Sequence, residues 1–139
     1  MAPPVGLRHS ETLTVDPSVT VPGLPASLGD FTAMPPVFAT ACMIAFVEAT
    51  CMAALAPHLA PGQRTVGTRV DVTHSAATPV GMRVTATVEL IEAKGGRLRF
   101  QVACRDERDE IGVGFHERFI VDGAKFLARV AAKSRGAGV

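Results

Sequence analysis

The sequence has no tryptophan and no tyrosine, so its aromatic share of 5% consists of phenylalanine alone. Proteins that bind nucleic acids combine stripes of Lys and Arg with aromatic side chains on which bases stack. The basic residues here are scattered along the chain, and the formal net charge is only +1. We therefore expect no nucleic-acid binding.

Cysteine is also scarce. Cys42, Cys51 and Cys104 are odd in number and follow neither a CxxC pattern nor the spacing of a zinc site. Cys42 and Cys51 lie in one predicted helix about 13 Å apart, which is too far for a disulfide. Free cysteines are typical of a reducing compartment, and the N-terminal residues contain no apolar segment of a signal peptide. We therefore expect a cytoplasmic protein.

Metal-binding motifs are missing as well. The four histidines, at positions 9, 58, 74 and 116, fall in unrelated segments of the sequence. Neither they nor the cysteines cluster at the spacing of metal ligands. We expect no metal and no cofactor.

Apolar residues, by contrast, are plentiful. The chain has 139 residues, of which 47% are hydrophobic and 19% are charged, which is typical of a single folded domain. The most apolar stretch, residues 38–57, contains one charged residue, Glu48. A membrane-spanning helix has about this length, but the central carboxylate, the many alanines and the lack of flanking basic clusters argue against one. We therefore predict a helix wrapped by its own protein, with no membrane partner.

The second half of the chain alternates between apolar and polar residues, as strands do. The alternating segments are 66–74, 83–91, 97–105 and 111–121, and a shorter strand is expected near 11–15. Residues 94–96, Lys-Gly-Gly, predict a tight turn. Inward-facing residues are expected to be Val84, Ala86, Val88 and Leu90 in one strand and Leu98, Phe100, Val102 and Cys104 in the next. In the segment 66–74, Val66, Thr68, Val70, Val72 and His74 are expected on one face, opposite Gly67, Arg69, Asp71 and Thr73.

These elements predict an α+β protein with an antiparallel sheet, because the strands are separate from the helix and joined mostly by hairpins. A curved antiparallel sheet wrapped around one long central α-helix is the hotdog fold, here in a single domain covering residues 1–139. Residues 125–139 are predicted to form a C-terminal helix and tail, with Phe126, Leu127 and Val130 docking.

Residues 17–36 form a long segment rich in Pro, Gly and Ser, without periodicity. Loops of this length inside a domain are usually lids or binding loops when they are ordered. This one carries Leu24, Leu28, Phe31 and Met34, which a flexible linker would not need. We predict a lid-like loop.

Two ionisable residues are candidates for chemistry. Glu48 would either pair with an arginine at the edge of the core or act as a carboxylate of tuned reactivity in a partly dry cleft. His74 ends a strand on the face of Val70 and Val72, so it should point toward the helix layer. A lone histidine there is commonly a satisfied core residue. Two ionisable groups aimed at one layer favour a site.

Thr40 is the third candidate, although a threonine at a helix start is often only a cap. Pro35 and Pro36 put the helix start nearby, where free backbone N–H groups can hold an anion or an oxyanion. Thr40 and Glu48 lie about 12 Å apart along one helix and cannot touch. If they share a site, either the substrate lies between them or a second subunit supplies one of them.

Two other features have simpler interpretations. Cys42 lies near the helix start and could compete as a nucleophile, but small core filling is the simpler role for Cys42 and Cys51. Glu117 and Arg118 could form a cross-strand ion pair that contributes little.

Three segments give the sequence a specific resemblance: PPVFATACMIAFVEATCMAALAPHL, VGTRVDVTHSAATPVG and DEIGVGFHERFIV. Together they resemble the fluoroacetyl-CoA thioesterase family of hotdog proteins, over residues 31–126. The resemblance implies that Thr40, Glu48 and His74 are catalytic. It also implies that Gly67, beside the acyl group, and Arg118 are active-site residues.

The same resemblance places Phe31 and Met34 at the family's lid and gate aromatics. Phe31 agrees with that pattern, whereas Met34 replaces an aromatic residue that helps shape the acyl pocket. A flexible thioether fills a pocket less selectively than a ring. The departure therefore puts a strict preference for a fluorinated acyl group in question.

The leading hypothesis is a homodimeric thioesterase that cleaves a short-chain acyl-CoA, with fluoroacetyl-CoA as one candidate substrate. A thioester needs an activated oxygen nucleophile and a stabilised oxyanion, and Thr40, Glu48 and His74 can supply these functions. A dimer is expected because pairing two sheets would cover an exposed edge strand. The alternatives are a noncatalytic module that binds acyl thioesters and a hotdog dehydratase.

Overall fold

Five strands form one antiparallel sheet in the computed structural model, which describes residues 2–136. The strands are β1 (Arg8–Thr14), β2 (Gln63–Val72), β3 (Arg83–Lys94), β4 (Arg97–Arg105) and β5 (Glu110–Asp122). Their order across the sheet is β1-β3-β4-β5-β2, so β1 and β2 are the edge strands. The helices are α1 (Thr40–Leu55) and α2 (Gly123–Ser134).

The core lies between α1 and one face of the sheet. Met43, Val47, Cys51 and Leu55 of α1 are fully buried. They pack in one cluster with inward residues of β3 and β4, namely Val84, Ala86, Val88, Leu90, Leu98, Phe100, Val102 and Cys104. The inward residues of both strands are therefore the ones that the alternation predicts, and the α+β hotdog fold is confirmed. Residues Thr40–His58 are long and apolar enough to cross a membrane, but α1 uses this composition to pack against the sheet.

The hairpin between β3 and β4 turns where the sequence predicts it. Lys94 pairs with Arg97, and the two residues between them, Gly95 and Gly96, have φ angles of 59° and 89°. The type I′ turn of a two-residue hairpin needs positive φ at both central positions, which glycine adopts without steric cost. The tight turn is confirmed.

Strand β2 departs from the predicted alternation. Its pairing with β5 is interrupted by a bulge between Gly67 and Arg69. Gly67 pairs with Arg118 and Val70 pairs with His116, and residues paired across strands point to the same face. The expectation that Gly67 and Val70 lie on opposite faces is therefore wrong, because the extra residue, Thr68, reverses the alternation.

Strand β5 turns two of its polar residues inward. His116 and Arg118 are buried on the helix side of the sheet, whereas Val113 and Phe119 are partly exposed on the other side. At Gly112 the strand packs closely against its neighbours, since a Cβ there would lie 2.4 Å from the Thr73 carbonyl oxygen and 3.1 Å from the Met43 side chain. The inner face of β5 is therefore polar around His116 and Arg118, whereas Ile111 near its start belongs to the apolar core.

The segment 17–36 contains three single turns of 3₁₀ helix, Pro17–Val19, Val21–Gly23 and Ala26–Leu28. Backbone hydrogen bonds from Val21 to Val37 and from Ala39 to Val19 attach it to the start of α1. Its function as a lid remains a prediction.

The C-terminal helix forms as predicted, but its docking differs. Asp122 caps α2 by accepting from the backbone N–H of Lys125. Phe126 is half-buried, whereas Leu127 and Val130 are exposed, so the docking predicted for these two side chains is wrong within one chain. Residues 137–139 of the predicted tail lie outside the described residues.

Candidate active site

Thr40 and His74 meet at the start of α1. The Thr40 Oγ1 lies 2.6 Å from the His74 Nδ1. Thr40 is the first residue of the helix, and His74 follows the end of β2 by two residues. The pair lines a cleft of about 290 Å³, together with Val21, Val37, Phe38, Ser75, Ala76 and Ala77. The prediction that His74 points toward the helix layer is confirmed.

His74 is neutral at pH 7. Burial lowers the pKa of His74 below its usual value, and an interaction with the Ala76 backbone acts in the opposite direction without reversing the effect. A neutral imidazole can accept the Thr40 hydroxyl proton at Nδ1. The other ring nitrogen, Nε2, is buried without a hydrogen-bond partner within residues 2–136.

The helix end beside this pair has no side-chain cap. Ala39 occupies the N-cap position, and its methyl group cannot accept a hydrogen bond. The N–H groups of the first helical turn have no intrahelical partner. An uncapped first turn can bind an anion or a developing oxyanion. Thr40 therefore lies beside a source of oxyanion stabilisation.

Glu48 occupies a second cluster, two turns further along α1. Its Oε2 accepts from the Arg118 Nη1 at 2.9 Å. Arg118 is 4% exposed and donates from Nε to the Thr65 hydroxyl and from Nη2 to the Thr65 carbonyl. The Glu48 side chain is 37% exposed. The buried Arg118 therefore fixes the position of the Glu48 carboxylate, which remains accessible to solvent.

His116 completes this second cluster, although no sequence motif singles it out. Its Nδ1 donates to the Arg69 carbonyl at 2.7 Å, and its Nε2 lies 3.2 Å from the Arg118 Nη1 and 3.8 Å from the Glu48 Oε2. The pKa of His116 is lowered, chiefly by burial. The available signal was the strand alternation of β5, which puts His116 and Arg118 on one face.

Gly67 leaves room for the Glu48 carboxylate. A Cβ at this position would lie 2.5 Å from the Glu48 Oε2 and 3.3 Å from the Arg118 Nη1. Such contacts are too close for real side chains, so any larger residue would displace the carboxylate. The prediction that Gly67 belongs to the active site is consistent with this position.

The structure separates the three predicted catalytic residues into two clusters. Thr40 and His74 form one, and Glu48 with Arg118 and His116 forms the other. Thr40 and Glu48 lie eight residues apart on α1, about 12 Å along its axis. Both clusters are open to solvent, since Thr40 is exposed and Glu48 is partly exposed.

Phe31 and Met34 lie on one turn of the 17–36 segment. The Met34 N–H donates to the Phe31 carbonyl at 3.0 Å. Phe31 is half-buried, whereas Met34 is 50% exposed. Neither residue lines the cleft of Thr40 and His74. Their roles at the acyl group therefore remain predictions.

The structure also bears on the simpler interpretations of the cysteines and of Glu117 and Arg118. Burial raises the pKa of the Cys42 thiol and raises that of Cys51 to about 12, so both thiols are protonated and poorly nucleophilic at neutral pH. Glu117 pairs with Arg97 and Arg99 on the outer face of the sheet. Arg118 does not join that pairing, since it faces α1.

A larger concavity of about 430 Å³ lies over the outer face of β3, β4 and β5. It contains none of the predicted site residues, and the residues around it include Arg8, Glu89, Gln101 and Phe115. The smaller cleft, in which the Thr40 hydroxyl contacts the neutral His74 imidazole, is therefore the better candidate for the active site, although its volume is smaller.

Comparisons with known proteins now bear on this site. The fluoroacetyl-CoA-specific thioesterase family profile matches residues 25–124. The fluoroacetyl-CoA thioesterase of Streptantibioticus cattleyicolor is 43% identical over 130 residues, which cover 94% of each chain. This chain belongs to the fluoroacetyl-CoA-specific thioesterase family. The resemblance carried by its three sequence segments is confirmed.

Solved structures agree with the family assignment. A fluoroacetyl-CoA-specific thioesterase variant in complex with fluoroacetate and CoA has a TM-score of 0.85 at 43% identity, covering 88% of this chain and 98% of that chain. A hot-dog-like protein from Thermanaerovibrio acidaminovorans has a TM-score of 0.80 at 24% identity, covering 94% and 92%. The second similarity supports the fold alone. Family membership makes this chain an acyl-CoA thioesterase.

Proposed function

We propose that this protein hydrolyses the thioester bond of a short-chain acyl-CoA to the free acid and CoA, with Thr40, Glu48 and His74 as its catalytic residues. The observation that carries the proposal is the 2.6 Å contact between the Thr40 hydroxyl and the His74 Nδ1 at the uncapped start of α1. Family membership supports the reaction class. Fluoroacetyl-CoA is one candidate substrate.

The chemistry follows from what each group can supply. Hydrolysis adds the oxygen of water to the thioester carbon and breaks the carbon–sulfur bond, and the thiolate leaves readily because thiols have a pKa near 8.5. His74 accepts a proton from the attacking oxygen or from Thr40, whose hydroxyl either attacks or positions the carbonyl. The first N–H groups of α1 hold the oxyanion. Glu48 is the second base that can accept a proton from water or from Thr40, in place of His74.

The two clusters suggest a site shared between two copies of the chain. We propose a homodimer in which Glu48 of one copy approaches Thr40 and His74 of the other. The edge strand β2 and an exposed row of small residues on α1, Ala41, Ala45, Ala49 and Ala53, offer surfaces for this contact. Pairing of edge strands would satisfy the free backbone groups of β2.

The remaining expectations are parts of the same proposal. We place the enzyme in the cytoplasm, where its three free cysteines would stay reduced. Its partner is an acyl-CoA, and we propose no membrane or nucleic-acid partner and no cofactor.

A thiol-release assay tests the proposal. Acetyl-, fluoroacetyl-, butyryl- and octanoyl-CoA are incubated with the protein, and free CoA is followed with a thiol-reactive dye. We expect turnover to be faster for the two-carbon acyl groups than for octanoyl-CoA. Binding of acyl-CoA without thiol release would instead support the noncatalytic binding module. If Glu48→Gln and His74→Ala hydrolyse at the wild-type rate, the assignment of the site is wrong.

A further inference from the structure

His116 is a buried histidine beside Glu48 that the proposed chemistry does not use. Its side chain is 1% exposed, and its Nε2 lies 3.8 Å from the Glu48 Oε2. The charged groups that influence it are Glu48 of α1 and Arg118 and Glu117 of β5, while Arg69 of β2 contributes a backbone carbonyl. A structural role in the core would require none of these neighbours.

The contacts of His116 determine its tautomer. The Arg69 carbonyl can only accept, so the His116 Nδ1, 2.7 Å away, carries the proton. Burial and the neighbouring Arg118 lower the pKa of His116, and the ring is neutral at pH 7. Its Nε2 therefore presents a lone pair to the Arg118 Nη1 at 3.2 Å.

The hydrogen bonds of Arg118 show what this lone pair does. The Nε and Nη2 of Arg118 donate to Thr65, and Nη1 carries the two remaining contacts, to Glu48 and to His116. Without an acceptor at His116, one buried N–H of Nη1 would have no partner. The guanidinium would then pivot about Thr65 to find one, because leaving a charged donor unsatisfied costs more than distorting its geometry.

We propose that His116 is a positioning residue: its Nε2 accepts a hydrogen bond from Arg118 and thereby directs the other Nη1 hydrogen toward Glu48. The inference rests on the proposed function in so far as Glu48 is catalytic. His116 touches neither the substrate nor the reacting atoms in this arrangement. It acts through Arg118, and its removal should affect kcat more than KM.

Two amide substitutions test the roles of the two ring nitrogens of His116 independently. In His116→Gln, the side-chain oxygen can occupy the place of Nε2 and accept from Arg118, while the donor to the Arg69 carbonyl is lost. In His116→Asn, the side-chain NH₂ can replace the Nδ1 donor, while the acceptor for Arg118 is lost. His9→Gln on β1, at the opposite edge of the sheet from β2, serves as a control for the same chemical change.

Two measurements distinguish these variants: the kinetic constants for acetyl-CoA and the NMR resonance of Arg118. We expect His116→Asn to lower kcat for acetyl-CoA by about 10- to 100-fold, the usual effect of losing one hydrogen bond to a charged group. We expect His116→Gln to stay within about threefold of wild-type kcat, with KM changing by less than about threefold in both variants. In ¹H–¹⁵N spectra, the Arg118 Nε–H resonance should stay sharp in His116→Gln and broaden in His116→Asn.

Three results would contradict the proposed role of His116 or the proposed function. Equal losses of kcat in both variants with an unchanged Arg118 resonance would overturn the proposal, since they would indicate a merely structural histidine. Wild-type kcat in His116→Asn would overturn it as well. If the wild-type protein releases no CoA, the proposed function fails, and the Arg118 resonance alone decides whether His116 positions the guanidinium.

Discussion

The Thr40 hydroxyl and the His74 imidazole lie within a 2.6 Å hydrogen bond although 34 residues separate them in the sequence. The contact joins two elements, since Thr40 is the first residue of α1 and His74 follows the last residue of β2 by two positions. Burial on one side of the cleft keeps His74 neutral. The strongest predictions about activity therefore concern Thr40 and His74.

Removal of the Thr40 hydroxyl should strongly reduce hydrolysis. We expect Thr40→Ala to lower kcat/KM by roughly 10²- to 10⁴-fold, the range in which positioned proton-transfer groups contribute. Thr40→Ser keeps the oxygen and should remain within about tenfold of wild type. Thiol release measures both, and Thr12→Ala on the exposed strand β1 is the control. Equal activity of Thr40→Ala and Thr12→Ala would contradict the role of the hydroxyl.

The acid limit of activity should lie below pH 6.5. Because burial lowers the pKa of His74 from 6.5, the imidazole stays a proton acceptor throughout the neutral range and is protonated only as the pH falls through this lowered pKa. The dependence of kcat/KM on pH reports the free enzyme's groups. We expect activity to decline on the acid side with a midpoint below 6.5. A midpoint above that value would show that His74 is not the base.

Gly67→Ala should impair activity more than stability. Its new methyl group would lie 2.5 Å from the Glu48 Oε2, and the carboxylate must move to relieve the contact. The backbone of Gly67 has none of the positive φ angles that disfavour alanine. We expect kcat/KM to fall by about 10- to 100-fold, as when catalytic groups are displaced by about 1 Å. Thermal unfolding should shift by only a few degrees; unfolding of the variant at room temperature would contradict this interpretation.

Met34→Phe should sharpen the choice of acyl group. Met34 occupies the position of an aromatic gate residue by resemblance, and it sits on an exposed turn where a ring can be accommodated. A rigid ring shapes a pocket more selectively than a thioether. We expect the ratio of kcat/KM for fluoroacetyl-CoA to that for acetyl-CoA to rise by about 10-fold, the lower end of the range that one apolar contact provides. Leu28→Phe, on the same segment, is the control, and an equal rise in both variants would remove the special role of Met34.

Some of this architecture follows directly from sequence patterns. Burial alternates in β3 as far as Leu90, before a bulge between Leu90 and Glu92, and alternates throughout β4, so the inward residues of both strands follow from the sequence pattern. The apolar run with one carboxylate indicated a core helix. A helix that is apolar all round is stable only inside a protein or in lipid, and the central carboxylate argues against lipid. His74 could be directed at the helix layer by the same reasoning.

Other features depend on contacts that no single segment encodes. The bulge after Gly67 arises from the pairing of β2 with β5, and it reverses the face of every residue before it. His116 looks like a polar residue on the solvent side of an amphipathic strand until α1 brings Glu48 over it. Alternation alone cannot say which face of such a strand is covered.

The shared site between two copies of the chain is the central claim, and mixing two inactive variants tests it most directly. His74→Ala and Glu48→Gln chains are co-expressed with different tags, and the mixed dimer is isolated by both tags. If Glu48 of one copy serves Thr40 and His74 of the other, the mixed dimer has one intact site and should show about half of the wild-type rate of CoA release. A mixed dimer as inactive as its two parents would contradict the shared site.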